Sequence, residues 1–319
     1  ILKLIGKKKE ACIYLKKCLE FDPNDLAYNL QTKLLISCIP FNQLQIEEER
    51  KEIDRQISLI GNDPNILYKK NRLPNSIDFI FYLAYHNCKN DKEILKNIAH
   101  SLSKKDGILN TNFNVDKHIK ESLARRKIRL GICSNFFFEH SITKCYLNII
   151  EDIAKSGIEV IIFRGKSDKV DKTTEHIISI AHETIALPES LEDSCQIILD
   201  KSVDILFYLD IGMSVKTYFM SLSRLALVQV LGRGHPNTSG SPNLDYMISS
   251  KDSETDESDK YYSERLIRLN TKTQNYSIPE TKIDKFNRSI FNISDKTFLI
   301  GLPHTLFKYH PNFDNILER

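Results

Sequence analysis

The stretch Leu225–Tyr246, LALVQVLGRGHPNTSGSPNLDY, decides how the rest of the chain is read. Its apolar run, Leu225 to Leu231, stops abruptly in Gly232, Gly234, His235, Pro236, Asn237, Thr238, Ser239, Gly240, Ser241 and Pro242. A strand that ends in such a loop leaves backbone N–H groups, hydroxyls and an imidazole at its carboxyl end. Open α/β sheets bind ligands at that end. Glycine there lets the backbone come close to a ligand, which any side chain would block. The same composition also marks ordinary loops between strands, so the flanking sequence has to decide.

The flanking sequence alternates. Ile128–Ser134, Glu159–Phe163, Thr184–Leu187, Asp204–Leu209 and Ala226–Leu231 read as short apolar strands. Between them Ile142–Ser156, Lys172–His182, Leu191–Lys201 and Ser214–Ser223 read as helices, the first stopping at Gly157. Strands alternating with helices of this length form βαβ units around a parallel sheet. Ile267–Leu269 closes this unit, a first Rossmann-like domain over 106–270. Asp245 and Tyr246, at the next strand, are read as structural. A polar connector follows over 271–296. Phe298–Leu302 then predicts a new strand, with Lys308 in a short polar loop and a helix from Pro311, the start of a second domain over 297–319. Strand, loop and helix in that order place a phosphate at a helix N-terminus. Neither a dinucleotide nor a P-loop glycine fingerprint accompanies it.

Residues 1–105 have a helical pattern. Ala11, Cys12, Leu15 and Leu19 recur at helical spacing. GKKKEACIYLKKCLEFDPND, Gly6–Asp25, looks like the second helix of a tetratricopeptide unit; the plainer reading is a lone amphipathic helix. One unit cannot bury its own face, so such repeats stack. Helices continue over Leu34–Ile60, Glu47–Glu48–Glu49 reads as a solvated face, and Gly61–Asn62–Asp63–Pro64 as a turn.

The bulk numbers exclude some classes. A chain of 319 residues can hold two domains. A net charge of +3, without a long Lys/Arg cluster, argues against nucleic acid as a partner. Arg125–Arg126–Lys127 reads as the edge of a strand. Apolar runs fall short of the roughly 20 residues of a membrane span. Seven cysteines without CxxC pairs read as reduced thiols in a cytoplasmic compartment. The chain starts at Ile1 and is expected to be a fragment of a longer protein.

Four segments in order carry a resemblance: Lys127–Ile142 (KIRLGICSNFFFEHSI), Val203–Met213 (VDILFYLDIGM), the loop stretch through YYSERLIRL, and Phe298–Asp314 (FLIGLPHTLFKYHPNFD). Together they resemble the catalytic core of the O-GlcNAc transferase/SPINDLY family of nucleotide-sugar protein glycosyltransferases, over roughly residues 70–319. The resemblance implies a GT-B-like α/β fold. A tetratricopeptide-like helical segment precedes a first Rossmann-like half, and the second half is truncated. It implies inverting, metal-independent transfer of a sugar, GlcNAc from UDP-GlcNAc, to Ser/Thr side chains of an acceptor protein, with no cofactor beyond the nucleotide-sugar donor. Asparagine glucosylation, fucosyl transfer from a GDP-sugar, and a non-catalytic repeat scaffold stay open; an NAD enzyme is disfavoured, since no GxGxxG follows a strand.

The family's site residues carry over one by one. Lys308 would pair with the leaving diphosphate, lined by His304 and Thr305. His140 would face the sugar and acceptor, with a loop histidine as the plain alternative. Gly234, His235, Thr238, Ser239 and Gly240 would lie against the sugar, and Arg233, where many bacterial relatives carry Trp, would change a sugar or acceptor contact. His86 matches a further active-site histidine only loosely; the alternative is a helix-surface histidine. One departure stands out. Animal members carry Asp four residues before the His140 position, and this chain has Phe136. The base is left open between His140, a phosphate oxygen and water, and the isolated fragment is expected to bind the donor poorly.

Overall fold

A computed structural model describes residues 2–86, 90–108, 112–125, 127–166, 170–276 and 288–318. Cys88, Arg126 and the middle of the expected connector lie outside these. The helical part comprises α1 (Lys8–Phe21), α2 (Leu26–Lys33), α3 (Gln43–Asn62), α4 (Asp78–Phe81), a 3₁₀ turn (Tyr82–His86), α5 (Lys92–Ser103) and α6 (Val115–Arg125). Asp25 and Asn42 cap α2 and α3 by accepting backbone N–H groups of Tyr28 and Gln45, both at 2.9 Å.

Three readings of this part need correction. Helix α3 runs through Gly61 and Asn62 rather than turning there. A Cβ on Gly61 would stand 2.7 Å from the Ser101 Cβ, so this glycine serves the close crossing of α3 and α5. Glu49 is not solvated. It pairs with Lys8 at 2.8 Å and accepts Ser37 N–H at 2.7 Å. Burial works to raise its carboxyl, yet the bonds from Lys8 and Ser37 hold it below the usual range. Finally, Arg125 ends helix α6, where its guanidinium reaches Asp204 at 2.7 Å.

The sheet domain follows as β1 (Arg129–Ser134), α7 (Ser141–Lys155), β2 (Glu159–Gly165), α8 (Lys172–Ile180), β3 (Glu183–Leu187), α9 (Leu191–Asp200), β4 (Ile205–Tyr208), α10 (Val215–Ser221), β5 (Val228–Leu231), β6 (Tyr246–Ser250) and β7 (Arg265–Leu269). These boundaries lie close to those read from sequence. All neighbouring strands pair in parallel, in the order β3-β2-β1-β4-β5-β6-β7. The central strands are buried on both faces, hence their unbroken apolar runs. One core cluster takes in Leu30, Ile53, Ile57 and Ile98 of the helical part together with Leu206, Phe219 and Leu222 of the sheet domain. No helix is long and apolar enough to cross a membrane among the described residues.

The expected strand at Phe298–Leu302 does not form. Its side chains are exposed, Phe298 to 87%, and no strand of the sheet runs beside it. A strand exists only where a neighbour takes its backbone hydrogen bonds. The helix expected from Pro311 is a 3₁₀ turn, Pro311–Phe313, leading into the four-residue α11 (Asp314–Leu317).

Candidate active site

The strand order reverses between β1 and β4. In open α/β sheets the crevice outside the carboxyl ends of two such strands is where ligands bind. Here the two exits are laced together by Asp210, which follows β4 and is fully buried. Its Oδ2 accepts the Asn135 N–H at 2.7 Å and the Ser134 hydroxyl at 3.1 Å. Burial pushes this carboxyl up to about 6, against the opposing pull of those bonds. The Asn135 amide in turn donates to Ser214, the cap of α10.

A cavity of 580 Å³ opens over these exits. Asn135 and Phe136 line it from β1, Gly212, Met213 and Ser214 from β4, and His235 from β5. Phe81, Tyr82, Tyr85 and Phe307 close it with an aromatic wall. Sequence reading missed this wall and Asp210. The signal was present in the aromatic run of FIFYLAYH, read only for its histidine, and in the Asp that ends FYLD.

The loop after β5 is packed, not open. A Cβ on Gly234 would stand 2.0 Å from the Leu209 carbonyl oxygen, and one on Gly240 would stand 2.3 Å from that of Leu95. Both glycines thus admit protein backbone, where sequence reading expected a ligand. Thr238 and Ser239 turn inward to Glu264. The Thr238 hydroxyl donates at 2.6 Å, the Ser239 N–H at 2.9 Å, and the Ser239 hydroxyl also donates. Asn237 donates to Asp91 at 2.9 Å, and Asp91 pairs with Arg50 of α3 at 2.7 Å. Arg233 reaches Ser249 of β6 at 3.2 Å, while its backbone N–H and carbonyl are held by Tyr146 and Gln274.

From this clasped loop it is His235 that lines the cavity. Phe81 and Tyr85 meet its ring edge-on, at 5.4 and 5.9 Å. Gly212, at φ +98°, makes the room, since a Cβ there would lie 2.5 Å from the His235 Cβ. Burial pushes the His235 imidazole down to about 4, and the nearby Lys308 ammonium adds to the shift. The ring is therefore neutral at physiological pH and offers a proton acceptor or donor to a ligand. Lys308 ends the 3₁₀ turn Leu306–Lys308 and follows Phe307, which lines the cavity. His304 and Thr305 stand exposed at the start of that turn and do not line the cavity.

His140 caps α7, its Nδ1 accepting the Ile142 N–H at 3.2 Å. Its ring stacks on Phe136 at 4.3 Å, which places it behind the cavity wall by one ring. His86 is a buried histidine, not a helix-surface one. Neither ring nitrogen has a hydrogen-bond partner among the described residues. Burial, with Arg50 adding, pushes it down to about 4, so it too is neutral. The cavity is lined by its neighbour Tyr85 rather than by His86. No group of His, Cys, Asp or Glu side chains suited to a metal is present among the described residues.

Fold and site define a class: a Rossmann-like α/β unit of the GT-B type, with its cleft at the switch point. A mutant of Thermobaculum terrenum O-GlcNAc transferase shares this fold at a TM-score of 0.54 and 18% identity, over 85% of this chain and 49% of that one. The UDP-glucose:protein N-beta-glucosyltransferase of Actinobacillus pleuropneumoniae serotype 5b (strain L20) is 22% identical over 313 residues, 92% of this chain and 48% of its own length. The probable UDP-N-acetylglucosamine–peptide N-acetylglucosaminyltransferase SPINDLY of Hordeum vulgare is 25% identical over 160 residues, 46% of this chain and 16% of its own. No family model matches. In sequence and in fold the chain is similar to O-GlcNAc transferase/SPINDLY-like glycosyltransferases. It spans about half the length, or less, of these relatives.

Proposed function

We propose that this chain is part of a protein glycosyltransferase that moves a sugar from a UDP-sugar to a protein side chain. The observation that carries the reading is a switch-point cavity lined by the buried His235 and by Phe307, the residue before Lys308. Departure of a nucleoside diphosphate builds negative charge on its phosphate oxygens. A fixed ammonium stabilises that charge in the transition state without a metal ion. Lys308 takes this role, with His304 and Thr305 in the exposed stretch just ahead of its turn. His235 hydrogen-bonds the sugar, and Thr238, Ser239 and Gly240 act from behind by fixing the loop. With its Nδ1 accepting the Ile142 N–H, a neutral His140 carries its proton on Nε2 and serves as hydrogen-bond donor at the edge next to Phe136; to act as proton acceptor it would first give up that cap. His86 acts on the site through Tyr85.

The sugar and acceptor of this reading are GlcNAc and Ser/Thr. A second reading, glucose on asparagine, is favoured by the relative that matches across 92% of the chain, whose name is UDP-glucose:protein N-beta-glucosyltransferase. The complete protein incubated with UDP-GlcNAc or UDP-glucose and Ser/Thr or Asn peptides, followed by mass analysis, separates the two. Transfer from neither of these donors nor from GDP-fucose, with nucleotide still bound, favours a non-catalytic scaffold. Within the same assay His140→Ala should lower transfer by roughly 10²–10⁴-fold if the imidazole moves a proton. Normal transfer by that variant removes His140 from the mechanism.

A further inference from the structure

The segment around Lys308 has little to hold it. Phe298, Ile300 and Leu306 are 87%, 77% and 70% exposed, and the residues from 297 to 306 are exposed throughout. Phe307 breaks this run. Its ring meets Tyr82 at 5.0 Å and Tyr85 at 5.2 Å, both edge-on, and those two rings lie 5.5 Å from each other. Edge-to-face pairs at these distances are attractive beyond the area they bury. Tyr85 in turn touches His235. A chain of rings therefore runs from the exposed segment into the cavity. A second tether follows three residues on, where His310 reaches Gln43 of α3 at 3.2 Å.

The local backbone turns this anchorage into a position for Lys308. Leu306–Lys308 is a 3₁₀ turn, closed by the Lys308 N–H donating to the Thr305 carbonyl at 3.0 Å. Three residues per turn set successive side chains about a third of a circle apart. With Phe307 seated between two tyrosines, the direction of the next side chain is fixed as well. We propose that Phe307 is a positioning residue: its ring, seated on Tyr82 and Tyr85, holds Lys308 at the cavity, so the helical part of the chain sets where this cation stands. The proposal rests on the reading of Lys308 as the partner of the leaving diphosphate.

The test uses the complete protein, F307A, F307Y, K308A and the double variant F307A/K308A. One measurement is the rate of tryptic cleavage after Lys308 without nucleotide, which reports local opening of the seat. The other is UDP affinity by calorimetry. In F307A, cleavage after Lys308 should be about tenfold faster. Its UDP affinity should fall about tenfold, or about 1.4 kcal/mol. F307Y should behave as wild type, and the double variant should bind no more weakly than K308A, because both changes remove one interaction. Unchanged cleavage in F307A overturns the proposal. Faster cleavage with unchanged UDP affinity, while K308A weakens binding, overturns it too, as do additive losses. If the wild type binds no UDP, the glycosyltransferase reading fails, and the cleavage rates alone decide the seat. If F307A does not fold, F307L takes its place.

Discussion

The loop 232–242 and the segment 297–310 both carry groups that sequence reading assigned to the donor, yet they are built in opposite ways. In the loop, Thr238 and Ser239 are fully buried, and their hydroxyls bond Glu264. Gly234 and Gly240 lie against the backbone of Leu209 and Leu95. In the segment, Lys308, His304 and Thr305 stand in solvent, and Phe307 and His310 supply the anchorage. The loop's polar groups have been used up in making it rigid, and one imidazole is left to present. The segment keeps its polar groups available and is weakly held. A change in the loop should therefore act on stability, and a change in the segment on function.

Two glycines make the sharpest test of that contrast. Gly234→Ala forces a methyl group onto the Leu209 carbonyl and should cost about 3 kcal/mol or more, or prevent folding. Gly301→Ala meets nothing within 4 Å among the described residues and should stay within about 0.5 kcal/mol of wild type. Urea unfolding of both variants measures the difference; equal losses would end the comparison. On the segment side, Lys308→Ala in the complete protein should leave the melting temperature unchanged. Its turnover should drop about a hundredfold, or about 2.7 kcal/mol in the barrier. Activity within a factor of two of wild type would remove Lys308 from the chemistry.

Acid provides a third, smaller probe. His86 and His235 are held near 4 in the folded chain, against about 6.5 when unfolded. The unfolded chain therefore takes up protons first as pH falls through 6.5, and stability is lost progressively down to about 4. Asp210, raised to about 6, works the other way. Its folded form binds the proton first, so it adds stability as pH falls through 6 toward the ordinary range of Asp. Each tenfold difference in proton affinity between folded and unfolded chain is worth about 1.4 kcal/mol. With two imidazoles against one carboxyl, the net loss from pH 7 to pH 5 should be about 2 kcal/mol. Chemical denaturation at the two pH values measures it. His235→Gln should remove most of the loss, and Asp210→Asn should deepen it. The smallest effect belongs to the second tether. Gln43→Ala should change global stability by less than about 0.5 kcal/mol, while raising amide exchange over Leu306–Phe313.

The alternation of strand and helix was readable because strands buried on both faces must be apolar throughout, as VIIF in β2 is. The position of the cavity was readable for a related reason, since the apolar run of β5 leads to it through His235. The orientation of its side chains was not. Thr238 and Ser239 point inward because of a carboxylate some 25 residues later. The aromatic wall joins residues 81–85, upstream of every strand, to Phe307, downstream of every strand. Phe298–Leu302 has a strand's composition, but composition does not supply a neighbour.

The core that joins the two parts of the molecule has a consequence for how the chain is made. Leu26 and Leu30 belong to the same apolar cluster as Met247 and Leu266. A chain leaves the ribosome from its amino end, and roughly 240 residues separate the first of these from the last. At ordinary rates of translation this is on the order of ten to fifty seconds. For that time the cluster stays incomplete: α2 and α3 rest first on the other helices, then on β1, β2 and β4 as these emerge, and last on β6 and β7.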